Sequence, residues 1–190
     1  MKRITIAFLF IISAFAIQAQ DTYIIDPAHS KLGFTITHFG IADVPGHFDK
    51  YDVTVKSTKA DFSDAVVEMT ADVKTINTRI EPRDNHLRSA DFFDVEKFPT
   101  MTFKSNSIRK IADNKYELNG HLTMHGITKP VTVNMWHRGS IQKKAGDKMT
   151  AGLQFTATIK RSDFNLGSKF PAPMLSDEVT LKGDGEFLQQ

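Results

Sequence analysis

Cysteine is missing altogether from the 190 residues. Its absence excludes disulfides and cysteine zinc sites, and it leaves the fold to be held by its core alone. Charge of one sign is not in surplus either. Lys and Arg number 24 against 22 Asp and Glu, and Lys2 and Arg3 at the extreme start account for the whole excess. A chain without a basic stripe lacks the phosphate-neutralising surface that general nucleic-acid binding needs. Long apolar runs are also lacking: the run from Ile4 to Ile17 is shorter than the roughly 20 residues of a membrane span. There is no G-x-S-x-G elbow, no H-E-x-x-H helix and no glycine-rich phosphate loop. Internal repeats, low-complexity tracts and linkers are not evident. These absences move the weight from catalysis toward binding, in one domain.

What is present begins with a leader. Residues 1–19 have a basic start, an apolar middle and small residues near the end, the pattern of a secretory signal peptide cleaved after Ala19. The expected mature domain is then residues 20–190, exported to the periplasm, with no membrane span. A retained N-terminal anchor is the alternative, and without a cysteine that anchor is not a lipoprotein's. About 170 residues suffice for a single self-supporting core.

From Tyr23 onward the dominant signal is period two, the signature of strands with one buried face. Leu32, Phe34 and Ile36 alternate with small or polar neighbours, as do Tyr51, Val53 and Val55, and then Val67, Met69, Ala71 and Val73. After a break the pattern resumes at Met101 and Phe103, then Tyr116, Leu118, Leu122 and Met124, then Val131, Val133 and Met135. It continues through Met149, Ala151, Leu153, Phe155, Ala157 and Ile159, and ends with Val179, Leu181 and Phe187. Turns are expected at Ala112–Lys115 and at His125–Thr128. The count is eight antiparallel strands, with a short helical insertion between strands 3 and 4. Strands with one apolar face must close on themselves or pack as two sheets, and closure also removes the edge that invites aggregation. The fold class is therefore all-β, an eight-stranded antiparallel lipocalin-like barrel. The inward set supplies the candidate pore: Phe34, Ile36, Val53, Val67, Met69, Phe103, Leu122, Met124, Val133, Met135, Leu153 and Phe155. Met69, Met101, Met124, Met135 and Met149 adapt to irregular apolar contents, although ordinary core filling explains them as well.

The break itself, Arg79–Phe103, is the most distinctive stretch. Pro82 suits the first turn of a short helix running to about Ala90. Arg79, Arg83, Asp84, His86, Arg88 and Asp91 crowd into it and are followed at once by Phe92, Phe93 and Phe98. A segment both charged and aromatic suits a lid over an apolar chamber, with Phe92 and Phe93 turned into it. Equally it suits a connecting helix whose phenylalanines plug the end of a core. Arg83 and Arg88, with His86 between them, are candidates to hold an anionic head group through charge-assisted hydrogen bonds. The alternative is that both arginines pair with Asp84 and Asp91 and simply cap the barrel.

Seven histidines invite a metal. His121 and His125 lie roughly 13 Å apart on a strand, too far for one ion. His29, His38 and His47 have no carboxylate at a diagnostic spacing, so no metal and no cofactor is expected. Ser89, His86 and Asp91 share the insertion, but three such residues close in sequence do not make a triad. The remaining chemistry is that of an apolar cavity, in which each buried CH₂ of a ligand contributes about 0.8 kcal/mol.

At these residues the chain resembles the YceI family of exported, lipocalin-like proteins. The resemblance runs from about Tyr23 to Leu188 through D-P-A-H-S at 26–30, F-T-I-T-H-F-G at 34–40 and V-P-G-H-F at 44–48. It continues with R-D-N-H-L-R-S-A-D-F-F-D-V-E-K-F-P at 83–99, N-G-H-L-T-M-H-G-I-T-K-P-V at 119–131, I-K-R-S-D-F at 159–164 and D-E-V-T-L at 177–181. The middle block carries over as Arg83, Asp84, His86, Leu87, Arg88, Asp91, Phe92 and Phe93. The resemblance implies an extended barrel with an apolar pore, often a homodimer, occupied in the periplasm by a polyisoprenoid or another long-chain amphiphile for storage or transport. Two other expectations compete with it. One is an enzyme or stress-response factor acting on a small apolar or quinone-like substrate, with His86 as proton donor. The other is an adaptor whose barrel is filled by its own side chains.

Overall fold

The structure, a computed structural model, describes residues 20–190. The expected signal peptide lies outside the described residues. The strands are β1 (Asp21–His38), β2 (Ala42–Phe48), β3 (Tyr51–Ser57), β4 (Val66–Asp72), β5 (Ile76–Asn77), β6 (Thr100–Ala112), β7 (Lys115–Met124), β8 (Ile127–Ile141), β9 (Thr150–Lys160) and β10 (Leu175–Gln189). One helix, α1 (Glu81–Arg88), lies between β5 and β6. All pairings are antiparallel, and β10 pairs with β1 to close the sheet. The first half of β1 pairs with β3 and the second half with β2. β2 and β3 therefore act as one strand bent at Asp49 and Lys50, and the closed ring has the eight strands expected.

The expected placement of the helix between strands 3 and 4 needs correction, because two strands escape the periodicity. β5 is only two residues long. β2 carries Pro45 and Gly46, which interrupt the alternation that reveals its neighbours. Gly46 is there for a reason: a Cβ at this position would lie 2.2 Å from the Phe34 ring, which folds across it from β1. The expected turn after β7 is a two-residue one, with His125 and Gly126 both at positive φ, the backbone that a tight hairpin's twist requires.

Apolar residues fall inside at every second position, as in β7, where Tyr116, Leu118, Leu122 and Met124 are all buried. The interior divides into two stacked clusters. The lower one is solid, with Tyr23, Val55, Phe62, Tyr116, Leu118, Met135, Leu153 and Phe187 in mutual contact. The upper one gathers around Phe48, Val73, Ile76, Met101, Phe103, Leu122, Met124, Ile159 and Phe164.

Beside the lower cluster His137 is buried, with its ring 4.7 Å from that of Phe62 between centroids and its Nε2 2.9 Å from Ser140 Oγ. Burial holds its pKa below the ordinary 6.5, outweighing the nearby Gly139 backbone and Asp61 charge, which pull the other way. The folded state thus prefers the neutral ring, and the unfolded chain takes up the proton first as pH falls. Stability present above pH 6.5 is lost as the pH drops toward the folded-state value. Thermal melts from about pH 7.5 to about pH 5 should show a smaller loss in His137→Phe than in the unmodified protein. Equal losses would remove His137 from the acid response.

Candidate functional site: a chamber under the helical insertion

α1 begins where β5 ends, and Thr78 is the hub that fixes it. Buried Asp84 accepts hydrogen bonds from the Thr78 backbone N (2.8 Å) and Oγ1 (2.5 Å), tying the helix to the strand end. Arg83 then donates through Nε to Thr78 Oγ1 (2.7 Å) and through Nη2 to the Thr78 carbonyl (2.9 Å). Pro82 occupies the first turn as expected, and Ile80, with extended backbone, precedes it.

The two arginines part company here. Arg83 faces the barrel interior. Arg88 turns to the outer side, donating to the carbonyls of Lys74 (2.9 Å) and Ile76 (3.3 Å) and lying 3.7 Å from Glu81. The pairing of both with Asp84 and Asp91 does not occur. Asp91 is instead held by Lys169 Nζ at 2.5 Å and His86 Nε2 at 3.3 Å, and these two contacts, Lys169 foremost, keep its carboxyl below the usual range. Among the described residues Arg83 has no carboxylate within ion-pairing distance.

The phenylalanines after the helix do what a lid would do. Phe92 stacks on Phe170 at 5.1 Å and 8°, and the His86 ring meets both edge-on. Phe93 reaches Phe48 on β2. Phe98 lies elsewhere, against His125 at the β7–β8 turn.

Beneath this lid is a cavity of about 370 Å³, within the range of small-molecule sites. Of the pore residues expected from sequence, Phe34, Ile36, Phe92, Phe93 and Met124 line it, together with Arg83 and His86. A second apolar void of about 80 Å³ lies deeper, lined by Val53, Val67, Met69, Phe103, Leu122, Val133 and Phe155. Met135 and Leu153 line neither cavity, being packed in the solid lower cluster at 1% and 0% exposure. Arg88 also stands apart from the chamber.

Periodicity misses one whole wall. The segment between β9 and β10 contributes Leu166, Phe170 and Met174 to the chamber, with Leu175 at the start of β10, and it is held by Arg161. The buried Arg161 guanidinium donates all five N–H groups to carbonyls: Nε to Ser176 (3.0 Å), Nη1 to Leu166 and Gly167 (both 2.8 Å), and Nη2 to Phe170 (2.5 Å) and Leu175 (3.2 Å). The available signal in the sequence is that residues 161–174 break the alternation as plainly as residues 79–99 do. Folding also brings together Asp26, His29 and Glu186, within 4.8 Å on the outer wall, which no local spacing reveals. Lys143 Nζ already lies 2.9 Å from Glu186 there and supplies the positive charge.

A YceI-like domain model matches residues 23–187. The chain belongs to the YceI-like family. A UPF0312 protein of Vibrio cholerae is 34% identical over 171 residues, covering 89% of each chain. Among solved structures, the Campylobacter jejuni YCEI protein is 30% identical with a TM-score of 0.74, over 82% of this chain and 90% of that one. A polyisoprenoid binding domain from Saccharophagus degradans, implicated in plant cell wall breakdown, superimposes with a TM-score of 0.63 over 89% of this chain and 98% of its own. At 15% identity this likeness is one of fold alone. Among the described residues no helix is long and apolar enough to cross a membrane.

Proposed function

We propose that this YceI-like protein is a periplasmic carrier of a long-chain amphiphile, a polyisoprenoid or a chain of similar character, with its tail in the chamber and an anionic head beside Arg83. The observation that carries this reading is the pairing of an almost wholly apolar cavity with a half-buried guanidinium that has no carboxylate partner among the described residues. A tail of ten methylenes contributes about 8 kcal/mol at ~0.8 kcal/mol each, enough to offset the cost of association. The fold shared with a polyisoprenoid binding domain supports the ligand class, and the leader at residues 1–19 supports export.

Native mass spectrometry and lipid extraction of protein from the native periplasm test occupancy directly, and an empty protein would sink the reading. The head group has its own test. Arg83→Ala should weaken binding of a phosphorylated or carboxylated chain by about 1.5–3 kcal/mol, roughly ten- to a hundredfold, while a neutral chain binds as before. Arg88→Ala should leave that preference unchanged, because its side chain serves the Lys74 and Ile76 carbonyls. An unaltered preference in Arg83→Ala would remove the arginine from the site.

A second reading, proton transfer to a small quinone-like substrate, draws on His86, which lines the chamber and contacts Asp91. Ser89 Oγ donates to the His86 carbonyl at 2.7 Å and not to its ring, so these three residues form no nucleophilic triad. Turnover that is lost in His86→Ala while chain binding persists would favour this reading over a carrier.

A further inference from the structure

The two apolar cavities are neighbours with a shared wall, and Leu181 is the residue that lines both. Its position follows from register. On β10 it stands directly opposite Phe34 of β1 on one side and Ala157 of β9 on the other. Directly opposed residues in antiparallel strands share a face, so all three project into the barrel on one rung. Phe34 belongs to the chamber and Ala157 to the inner void, which makes this rung the partition between them. Next to Leu181, Ala157 offers only a methyl group and Gly183 none, so Leu181 is the bulky member of the rung on the β9–β10 side. Below the inner void, Tyr116, Leu118 and Leu153 are fully buried and close-packed, so a tail entering from the mouth meets a floor.

The geometry points to Leu181 as the residue that sets how long an apolar tail this protein accepts: the tail fills the chamber, stops at the Leu181 rung, and reaches the inner void only if that side chain yields. This inference rests on the carrier reading and makes it specific. The ligand class is a single narrow chain of bounded length, with its anionic end at Arg83 and its far end against Leu181. The inner void is the reserve that a smaller residue at this position would open.

The test is a series of saturated straight-chain fatty acids, from octanoate to behenate, titrated calorimetrically against the unmodified protein and three variants. In the unmodified protein affinity should climb by about fourfold per added methylene while the chamber fills, and then level off. Leu181→Ala should merge the cavities and move the levelling point to longer chains. Leu181→Val, a milder opening that keeps most of the packing, should move it less, and it carries the test if the alanine variant does not fold. Adding Ala157→Leu to Leu181→Ala should fill the inner void from its own side and return the levelling point to its original length. The proposal is overturned if the folded Leu181 variants level off where the unmodified protein does, or if the extension survives Ala157→Leu. Absence of binding by every member of the series to the unmodified protein would overturn the carrier reading along with it, a result distinct from binding with an unmoved limit.

Discussion

Arg161→Met should lower the unfolding free energy by about 2–6 kcal/mol and weaken binding of any long-chain ligand at least about tenfold. The side chain is buried at the chamber wall, no carboxylate contacts it among the described residues, and all of its hydrogen bonds gather the backbone of residues 166–176. Removing the guanidinium leaves the buried Leu166 carbonyl without a donor, at about 1–3 kcal/mol, whereas the Gly167 carbonyl keeps the Phe170 N–H at 2.9 Å. The other lost bonds, to the Gly167, Phe170, Leu175 and Ser176 carbonyls, at about 0.5–1.5 kcal/mol each, supply the rest of the range. The lower end of the range allows for the desolvation cost that the charge no longer carries. Binding suffers because Leu166, Phe170, Met174 and Leu175 form a wall of the chamber and Phe170 is the partner on which Phe92 stacks. Arg161→Lys should rescue little, since a single ammonium cannot span five carbonyls. Urea denaturation and ligand titration on the two variants decide the matter. Unfolding midpoints and affinities equal to those of the unmodified protein would show that the segment holds its shape without the clasp.

At the other end of the barrel, Phe62→Ala should cost about 3–5 kcal/mol, the range for truncating a buried phenylalanine whose cavity cannot collapse. Phe62 is fully buried at positive φ between the rings of Tyr23 and His137. Its loop is pinned on both sides. Asp64 accepts hydrogen bonds from Ser57, Thr58 and Lys59, and these outweigh the effect of burial, so that its pKa falls to about 2. Tyr116 Oη donates to the Asp61 carbonyl at 2.5 Å. The loop cannot follow the missing ring inward without breaking these contacts, so the space stays open. At about 2–4 °C per kcal/mol for a chain of this size, the melting temperature should fall by roughly 6–20 °C. Affinity for the ligand should be retained at temperatures where the variant is folded, because the plug belongs to the solid lower cluster and the chamber to the upper one. A parallel loss of affinity would mean that the floor and the chamber are coupled.

Much of this protein follows from its sequence alone. Period-two alternation assigns each strand residue to a face, and eight strands with one apolar face each have to close, so the barrel and its inward set are legible. The motif blocks suffice for the family, and Pro82 marks the first turn of the only α-helix among the described residues. The eight-residue span of that helix also separates Arg83 from Arg88, since five residues at about 100° each place them some 140° apart, on different faces. Which of the two faces inward was decided by Thr78, which only the packed strand end positions. Depth was likewise a tertiary decision. Met124 and Met135 carry the same inward parity, yet one lines the chamber and the other is locked in the floor, because alternation encodes a side of the sheet and not a height along the barrel. The Arg161 clasp, the Lys169 contact to Asp91 and the shared rung of Phe34, Leu181 and Ala157 join segments distant in sequence. Their partners are set by strand register and closure, which exist only once the sheet has met itself.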